Sequence, residues 1–157
     1  FLFWMIGGLE ARHWSHVAMG LGPILVAVAI LLILGRQLNV MALGDVEAKA
    51  LGLPVTAYRV LFIFLASILT ATAVCISGTI GFVGLVVPHI MRRLVGPDHR
   101  RLLPAAAIGG ASFLVACDTL GRLMPFAGEV RVGVVTALIG APYFLYLLYG
   151  MRKGGRL

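Results

Sequence analysis

Two long uncharged runs constrain the fold of this chain more than any other feature of its sequence. One covers residues 17–35 and the other residues 60–88, and further apolar runs follow at 102–117 and 132–151. An uncharged stretch of about 18 residues or more is long enough to cross a bilayer as a helix. Only 12% of the residues are charged, against about 25% in soluble domains. We therefore predict an all-α fold, a polytopic bundle of transmembrane helices.

The second run is too long for one helix that crosses the membrane, because a span needs about 20 residues. Gly78, Gly81 and Gly84 recur inside it, and glycine adopts backbone conformations that end a helix. We predict a bend here, with one span over residues 60–77 and a short second span over residues 80–94. With the end of an earlier span at residues 1–9, the chain forms about five spans of a single domain, residues 1–157. Since the sequence starts inside an apolar run without an initiator Met, we expect it to be part of a longer chain.

A polar segment, residues 39–56, separates the two uncharged runs. Asp45, Glu47 and Lys49 alternate there with apolar residues, and Gly44 and Gly52 flank them. Glycine, and the proline that follows at position 54, both end helices. We predict a short amphipathic helix at the membrane surface, with a second short helical element before Gly44. A short helix flanked by glycines is better suited to contact with another protein than to anchoring the chain.

The basic residues predict the orientation of the bundle. If the bend near Gly78 is a true turn, the segment 39–56, the loop 97–101 and the C-terminus share one side of the membrane. Short cytoplasmic loops are enriched in Lys and Arg, so we predict that this side is cytoplasmic. It carries ten of the 13 basic residues, namely Arg36, Lys49, Arg59, Arg92, Arg93, Arg100, Arg101, Arg152, Lys153 and Arg156. The same topology accounts for the net charge of +7, and we expect no nucleic-acid partner.

The sequence contains no recognisable catalytic or metal-binding motif. It has no glycine-rich phosphate loop, no HExxH pattern and no pair of cysteines at CxxC spacing. His13 and His16 could share a helical face, but two isolated histidines make a weak metal site. We predict that Cys75 and Cys117 are packing residues and that the chain itself binds neither a metal nor a cofactor.

The apolar runs also lack an acidic residue at mid-depth. Proton-coupled carriers usually place a carboxylate there, so a proton-driven carrier and an intramembrane enzyme are disfavoured alternatives. His89 lies within a predicted span, where packing or a hydrogen bond beside Pro88 is a more ordinary role than a proton relay. Any transport would then draw its energy from a separate subunit. A membrane scaffold without transport is a further alternative that hydrophobicity alone permits.

Three blocks of the sequence resemble one family of membrane proteins. The blocks GTIGFVGLVVPHIMRRLVGPDHRRLLP, NVMALGDVEAKALGLPV and VGVVTALIGAPYFLYLL are similar, in order and spacing, to the permease subunits of iron-chelate and vitamin B12 ABC importers, the FecCD type. The resemblance implies the C-terminal half of a permease with about ten spans in a bacterial inner or plasma membrane. It also implies a second permease copy or paired half, two cytoplasmic ATPase subunits that hold ATP and Mg²⁺, and an extracytoplasmic substrate-binding protein.

The segment 39–56 matches the coupling helices of this family, which contact the ATPase. The resemblance implies that the apolar side chains of the segment fill a cleft of the ATPase. It also implies that the glycines set the angle between two short helices. The predicted ATPase-coupling residues are Ala42, Leu43, Gly44, Asp45, Glu47, Ala48, Leu51 and Gly52.

Two arginines are the predicted docking residues for the binding protein. Arg122 matches a family position on the outer face that meets an acidic residue of that partner. The alternative stays open, because Asp118 lies four positions earlier and could pair with Arg122 on one helix face. Arg131 stands in the sequence EVR, where the family usually has a proline, and this departure could add a docking contact. The loop 124–131 is expected at the same face.

The resemblance leaves several cargoes open. A ferric siderophore or a related metal chelate is the predicted cargo because it is the commonest in the family, and haem and cobalamin are the alternatives. The pathway residues of this family come largely from the fifth span, and we expect most of that span to lie outside this sequence.

Overall fold

A computed structural model describes residues 7–9, 13–123 and 131–154, and within those ranges all regular structure is helical. Seven α-helices follow one another in the described part of the chain. They are α1 (Trp14–Ile33), α2 (Gly35–Met41), α3 (Asp45–Ala50), α4 (Val55–Ser77), α5 (Val83–Val95), α6 (His99–Leu123) and α7 (Val132–Gly154). The predicted all-α fold is confirmed.

Three of the described helices, α1, α4 and α6, are long and apolar enough to cross a membrane. They have 20, 23 and 25 residues and extend over about 30 to 38 Å at 1.5 Å per residue, which matches the hydrocarbon layer of about 30 Å. α7 contains a shorter apolar part, Val132–Leu147. These four helices correspond to the spans predicted at residues 17–35, 60–77, 102–117 and 132–151. The span end predicted at residues 1–9 lies mostly outside the described residues.

The predicted span at residues 80–94 is shorter in the structure than a complete membrane crossing. Its helix, α5, has 13 residues, about 20 Å, so α5 alone does not cross the hydrocarbon layer. By length and composition, three described helices qualify as complete spans, whereas the sequence predicts about five. The difference at α5 arises because residues 78–82 are not helical.

The predicted glycine bend is confirmed at residues 78–82. Gly78 ends α4 with a φ of 71°, and its N–H donates to the carbonyl of Val74. Phe82 precedes α5 with a φ of 65°, a left-handed conformation that is uncommon for residues other than glycine. These two positive φ angles change the direction of the chain between α4 and α5.

Hydrogen bonds between distant residues define the two ends of the bundle. At one end, Asn39 Nδ2 donates to Asp98 Oδ1 over 2.6 Å, which joins the segment 39–56 to the loop 97–101. At the other end, the N–H of Gly8 donates to the carbonyl of Ser77 over 2.8 Å, beside the bend. The prediction that the segment and the loop share one side is therefore confirmed by their direct contact.

Small residues allow the helices to approach closely, since packing rather than hydrophobicity drives helix association in lipid. α1 packs on α4, where Gly20 lies under the side chain of Ile76. α5 and α7 both pack on α6, and Met91 of α5 lies against Gly109 of α6. α6 also contacts α1 and α2, so it is the helix through which most of the described bundle is joined.

A small apolar core lies near the bend and joins α6 to α7. It consists of the buried residues Cys117, Val132 and Val135, against which Leu9, Ile80, Phe113 and Leu114 pack. Cys117 is buried there as a packing residue, as predicted. Cys75 is exposed on α4 and takes no part in this core.

The close contact between Phe82 and Gly140 generates a stability prediction. A methyl group at Gly140 would overlap the Cβ of Phe82, so we expect Gly140→Ala to lower the free energy of unfolding of the full-length permease by about 1–3 kcal/mol, as overpacking does. Gly110→Ala is the matched control, because no described atom lies within 4 Å of the Cβ it would add and alanine favours helices. Thermal unfolding of both variants in detergent measures the difference. Equal melting temperatures would contradict the close approach of α5 and α7 at this point.

Candidate functional site

The segment 39–56 contains one short helix, α3, and the last three residues of another, α2, which begins at Gly35, so the predicted short helical element before Gly44 is present. α2 and α3 are separated by the turn at residues 42–44. Asp45 and Glu47 lie in the first turn of α3, and Lys49 lies in its last turn. This order of charges is favourable at both ends of α3, because the helix dipole favours negative charge at the N-terminus and positive charge at the C-terminus. The charges therefore help a helix of only six residues to form.

Gly44 sets the angle between α2 and α3. Its φ of 120° and ψ of 158° lie in a region that essentially only glycine occupies. The Gly44 carbonyl accepts the N–H of Ala48 over 3.0 Å as the first bond of α3. The role expected of this glycine therefore has a conformational basis.

Gly52 ends α3 in a different conformation. Its φ is 79°, and its N–H donates to the carbonyl of Lys49, while the N–H of Leu53 donates to the carbonyl of Ala48. This pair of bonds is a Schellman motif, which closes a helix around one left-handed residue. The two glycines thus fix both ends of α3.

The side chains of α3 and its flanks point in two directions. Ala48 is fully buried, so it packs α3 against the rest of the chain and has no surface for a partner. This corrects the expectation that Ala48 helps to fill a cleft of the ATPase. Leu43, Val46 and Leu51 are instead exposed over 63%, 77% and 67% of their surface. We call these three residues the apolar triad.

Val46 is an exposed apolar residue that the predicted coupling set omits. At 100° per residue, positions 46 and 48 lie on nearly opposite sides of a helix, so the burial of Ala48 accompanies the exposure of Val46. Six residues are too few to show this period in the sequence. The signal that could have indicated the exposure of Val46 is its spacing of two residues from Ala48, because residues two apart lie on nearly opposite sides of a helix.

An ion pair attaches α3 to the start of α4. One guanidinium nitrogen of Arg59 lies 2.5 and 2.7 Å from the two carboxylate oxygens of Asp45, and both side chains are about half exposed. The hydrogen bond from Arg59 lowers the pKa of Asp45 below its ordinary value. Because exposed ion pairs contribute little stability in water, this contact holds α3 only weakly.

A more protected connection joins α2 to the start of α6. The amide of Asn39 bonds through both of its ends: Nδ2 donates to Asp98 Oδ1 over 2.6 Å, and Oδ1 accepts the backbone N–H of His99 over 2.8 Å. The ring Nδ1 of His99 lies 2.8 Å from the same oxygen, to which it bonds when it carries the proton. These contacts are part-buried, and a bond to a charged carboxylate is stronger than one between neutral groups.

Asp98 also caps α6. Its Oδ1 accepts the N–H of Arg100 over 3.0 Å, and its carbonyl accepts the N–H groups of Arg101 and Leu102. A side-chain acceptor at this position satisfies amide groups that the first turn of a helix leaves unpaired. The bonds from the Asn39 amide and from the Arg100 N–H lower the pKa of Asp98, which favours the ionised carboxylate that both contacts need.

Exposed arginines surround this connection. Arg36, Arg92, Arg93, Arg100 and Arg101 are exposed, and within the described ranges the two ion pairs of the chain involve other residues. Gly35 allows α2 to lie close to α6, because a side chain at this position would come within 3.4 Å of the Arg100 Cα. The basic residues and the segment 39–56 therefore occupy the same end of the bundle, which we call the basic end.

At the opposite end, Arg122 and Asp118 form an ion pair, with Nε 2.8 Å from Oδ2. The local pairing that the sequence left open is thus present, and Arg122 makes a further interaction besides it. Arg131 is half-buried before α7 and is likewise engaged. Docking of a binding protein by either arginine stays a prediction, and residues 124–130 of the predicted docking loop lie outside the described residues.

The histidines do not form a metal site in the described part of the chain. His13 and His16 stack with ring centroids 6.2 Å apart, and the N–H of His13 donates to Nδ1 of His16 over 3.3 Å. His89 lies edge-on to Tyr143 at 6.2 Å, and its buried Nε2 has no hydrogen-bond partner among the described residues. Those residues contain no group of three or more His, Cys, Asp or Glu side chains that could hold a metal.

Comparison with known proteins identifies the family. The model of the FecCD transport family matches residues 1–150. The chain belongs to this family. The cobalamin import system permease protein BtuC of Halobacterium salinarum is 48% identical to it, over 94% of this chain and 39% of the relative. The hemin transport system permease protein HmuU of Yersinia pestis is 44% identical, over 98% of this chain and 46% of the relative.

A solved structure supports the same assignment for the fold. An ABC transporter assigned to the metal-chelate type, in an inward-facing conformation, aligns with a TM-score of 0.88 and 41% identity, over 95% of this chain and 48% of that chain. The chain therefore spans less than half the length of the relatives it matches. Family membership and the three apolar helices place this member of the FecCD family in a membrane.

Gly44 and Gly52 differ in the side chains they should tolerate. Asparagine can adopt the left-handed conformation of Gly52, and no described atom lies within 4 Å of a Cβ at that position. The conformation of Gly44, in contrast, is one that asparagine does not adopt. We expect Gly44→Asn to destabilise the segment by about 1–3 kcal/mol and Gly52→Asn to have a much smaller effect. The rate of tryptic cleavage after Lys49 in the purified full-length permease measures local opening. Equal acceleration by the two substitutions would contradict the assigned conformations.

Proposed function

We propose that this chain is part of the permease subunit of an ATP-driven importer and that the apolar triad docks into a cytoplasmic ATPase subunit. The observation that carries the proposal is the triad itself, three large apolar side chains exposed on and beside a six-residue helix at the basic end of the bundle. Clustered apolar side chains that face water mark interaction surfaces. Gly44 and Gly52 support the docking role because they fix the orientation in which the triad is presented.

The residues around the triad fit the edge of such an interface. Ala42, Asp45, Glu47 and Lys49 are exposed, and protein interfaces commonly have an apolar centre and a polar rim. In this proposal, seven residues of the predicted coupling set contact the ATPase or act as hinges. They are Ala42, Leu43, Gly44, Asp45, Glu47, Leu51 and Gly52. Ala48 supports the helix from inside.

Energy for transport comes from the separate ATPase in this proposal. The sequence has no phosphate-binding loop, so ATP and Mg²⁺ are held by the partner and this chain binds no cofactor. The Asp and Glu residues of the described helices lie near helix ends, which disfavours proton coupling through a carboxylate at mid-depth. The names of the relatives support an ABC importer, since they are described as permeases of transport or import systems.

The proposed assembly has two permease copies or paired halves, two ATPase subunits and an extracytoplasmic substrate-binding protein. The positive-inside rule supports a cytoplasmic location for the basic end and the C-terminus in a bacterial inner or plasma membrane. Arg122 and Arg131 then face the binding protein at the other end. ATP-driven approach of the two ATPases would move the two coupling segments and rock the helices around a central cavity.

A charge placed on the triad tests the docking proposal. We expect Val46→Glu in the full-length permease to reduce co-purification of the ATPase and ATP-driven uptake by about tenfold or more, as hot-spot substitutions do. Ala57→Glu is the matched control, because it adds the same charge at an exposed position that is not part of the triad, in the first turn of α4 at the same end of the bundle. The two variants should have the same thermal stability. Undiminished ATPase binding by Val46→Glu would contradict the proposal.

We propose a ferric siderophore or a related metal chelate as the cargo. Relatives at 41–48% identity are named for cobalamin, hemin, molybdate and Fe(3+) dicitrate, so similarity alone does not choose between metal-containing cargoes. Uptake into liposomes by the full-length transporter with its ATPase and binding protein should be measured for labelled ferric siderophores, haem, cobalamin and molybdate. We expect a ferric chelate to be transported fastest. Uptake of haem or cobalamin in preference would replace the siderophore assignment.

A further inference from the structure

Besides the covalent chain and the packing of Gly35 on Arg100, two sets of side-chain polar bonds connect the segment that carries the apolar triad to the long helices. The Asp45–Arg59 ion pair leads from α3 to α4, and the bonds of Asn39 lead from α2 to α6. The ion pair is half exposed, where water and salt weaken it. The Asn39 bonds are part-buried and include one to a carboxylate, so they form the stronger of the two connections.

We propose that Asn39 is a positioning residue that transmits movement of the coupling segment to α6. The inference rests on the proposed function, because it takes the ATPase as the source of the movement. It assigns to Asn39, which lies outside the predicted contact set, the task of keeping the first turn of α6 and α2 together when the triad is pulled.

The geometry around Asn39 suits this task. A planar amide that bonds through both ends resists rotation as well as separation, because hydrogen bonds weaken steeply when they bend. Asp98 accepts from Asn39 and caps α6 with the same oxygen, so displacement of Asn39 acts directly on the start of α6. The close approach of Gly35 to Arg100 adds a packed contact beside the hydrogen bonds.

α6 is suited to carry the movement to the other end of the bundle. Its 25 residues extend over about 38 Å, from Asp98 to the Asp118–Arg122 pair and the core around Cys117. α6 is one continuous helix over this length, with Pro104 inside it. Because α6 contacts α1, α2, α5 and α7, its displacement repositions most of the described bundle.

A labelling experiment on the assembled transporter tests the inference without knowledge of the cargo. The parent protein is the full-length permease with Leu123→Cys, which places a thiol at the exposed end of α6, with Cys75→Ser, which removes the exposed thiol of the described residues, and with any cysteine of the remaining chain replaced by serine. Cys117 is buried and stays. The transporter is reconstituted with its ATPase in liposomes, and the rate of reaction with a membrane-impermeant maleimide is compared with and without ATP and vanadate.

We expect ATP and vanadate to change the labelling rate of the parent. Asn39→Ala should reduce that change by about fivefold or more, while ATPase binding and basal ATP hydrolysis persist. Arg59→Gln is the matched control, since it breaks the other connection, and the change should stay within about twofold of the parent. An unaltered response in Asn39→Ala would overturn the inference. A parent whose labelling does not respond to ATP would overturn it too, because α6 would then not move.

An exchange of the two side chains separates transmission from a general structural role. In the double variant Asn39→Asp with Asp98→Asn, the new carboxylate at position 39 accepts the N–H of His99. The new amide at position 98 donates to that carboxylate through the NH2 group that replaces Oδ1, so the side-chain bond to the N–H of Arg100 is lost, while the carbonyl of residue 98 still accepts the N–H groups of Arg101 and Leu102. We expect this variant to recover the ATP-dependent change that Asn39→Ala loses. An assembled exchange variant without recovery would overturn the inference, as would failure of both variants to assemble, because Asn39 would then be needed for folding rather than for transmission.

The result for Val46→Glu distinguishes failure of this inference from failure of the proposed function. If the ATPase remains bound to Val46→Glu, the docking proposal fails whatever Asn39 does. If Val46→Glu loses the ATPase and Asn39→Ala keeps the full ATP-dependent change, only the inference about Asn39 fails.

Discussion

The cost of placing charged and unpaired polar groups in hydrocarbon determines where the other interactions of this structure lie. Among the described residues, Asp, Glu, Lys and Arg occur near helix ends or in the connections between helices. Backbone groups inside a membrane must pair within helices, which leaves the ends of the helices as the places where side chains form specific polar bonds. The distinctive chemistry of the chain is therefore confined to two layers, one at each end of the bundle.

The two layers are built from different interactions. At the basic end, directional hydrogen bonds join Asn39 to Asp98 and His99. At the opposite end, the core around Cys117 and Val132 is apolar. Hydrogen bonds fix direction as well as distance, whereas apolar burial is not directional. The hydrogen bonds of the basic end therefore fix the relative position of α2 and α6, whereas the opposite end combines apolar packing with the Asp118–Arg122 pair and the bond from Gly8 to Ser77.

The sequence predicts the elements of this structure better than it predicts their contacts. The length of the uncharged runs indicates α1, α4 and α6. The pattern of glycines and charged residues indicates two short helices around Gly44. Both signals are local in the sequence. The burial of Ala48 and the exposure of Val46 are not predicted, since six residues do not establish a helical period. The partnership of Asn39 with Asp98 joins residues that are 59 positions apart, and no local signal in the sequence encodes it. The predicted role of the segment rests on the resemblance to a family, and the structure shows which of its side chains are exposed.

The non-helical backbone at residues 78–82 shows how the same constraint is met where a helix is interrupted. Irregular backbone at membrane depth is tolerated only where protein buries it or water reaches it. Here Ile80 packs against the apolar core, Gly78 is buried, and the carbonyl of Ser77 accepts the N–H of Gly8. Gly8, at the start of the described chain, thus donates a hydrogen bond to a carbonyl at the end of α4, where no donor from α4 itself follows. The bond from Gly8, the packing of Ile80 on the core and the contact of Phe82 with Gly140 together hold the bend, and with it the direction of α5 and the position of its arginines.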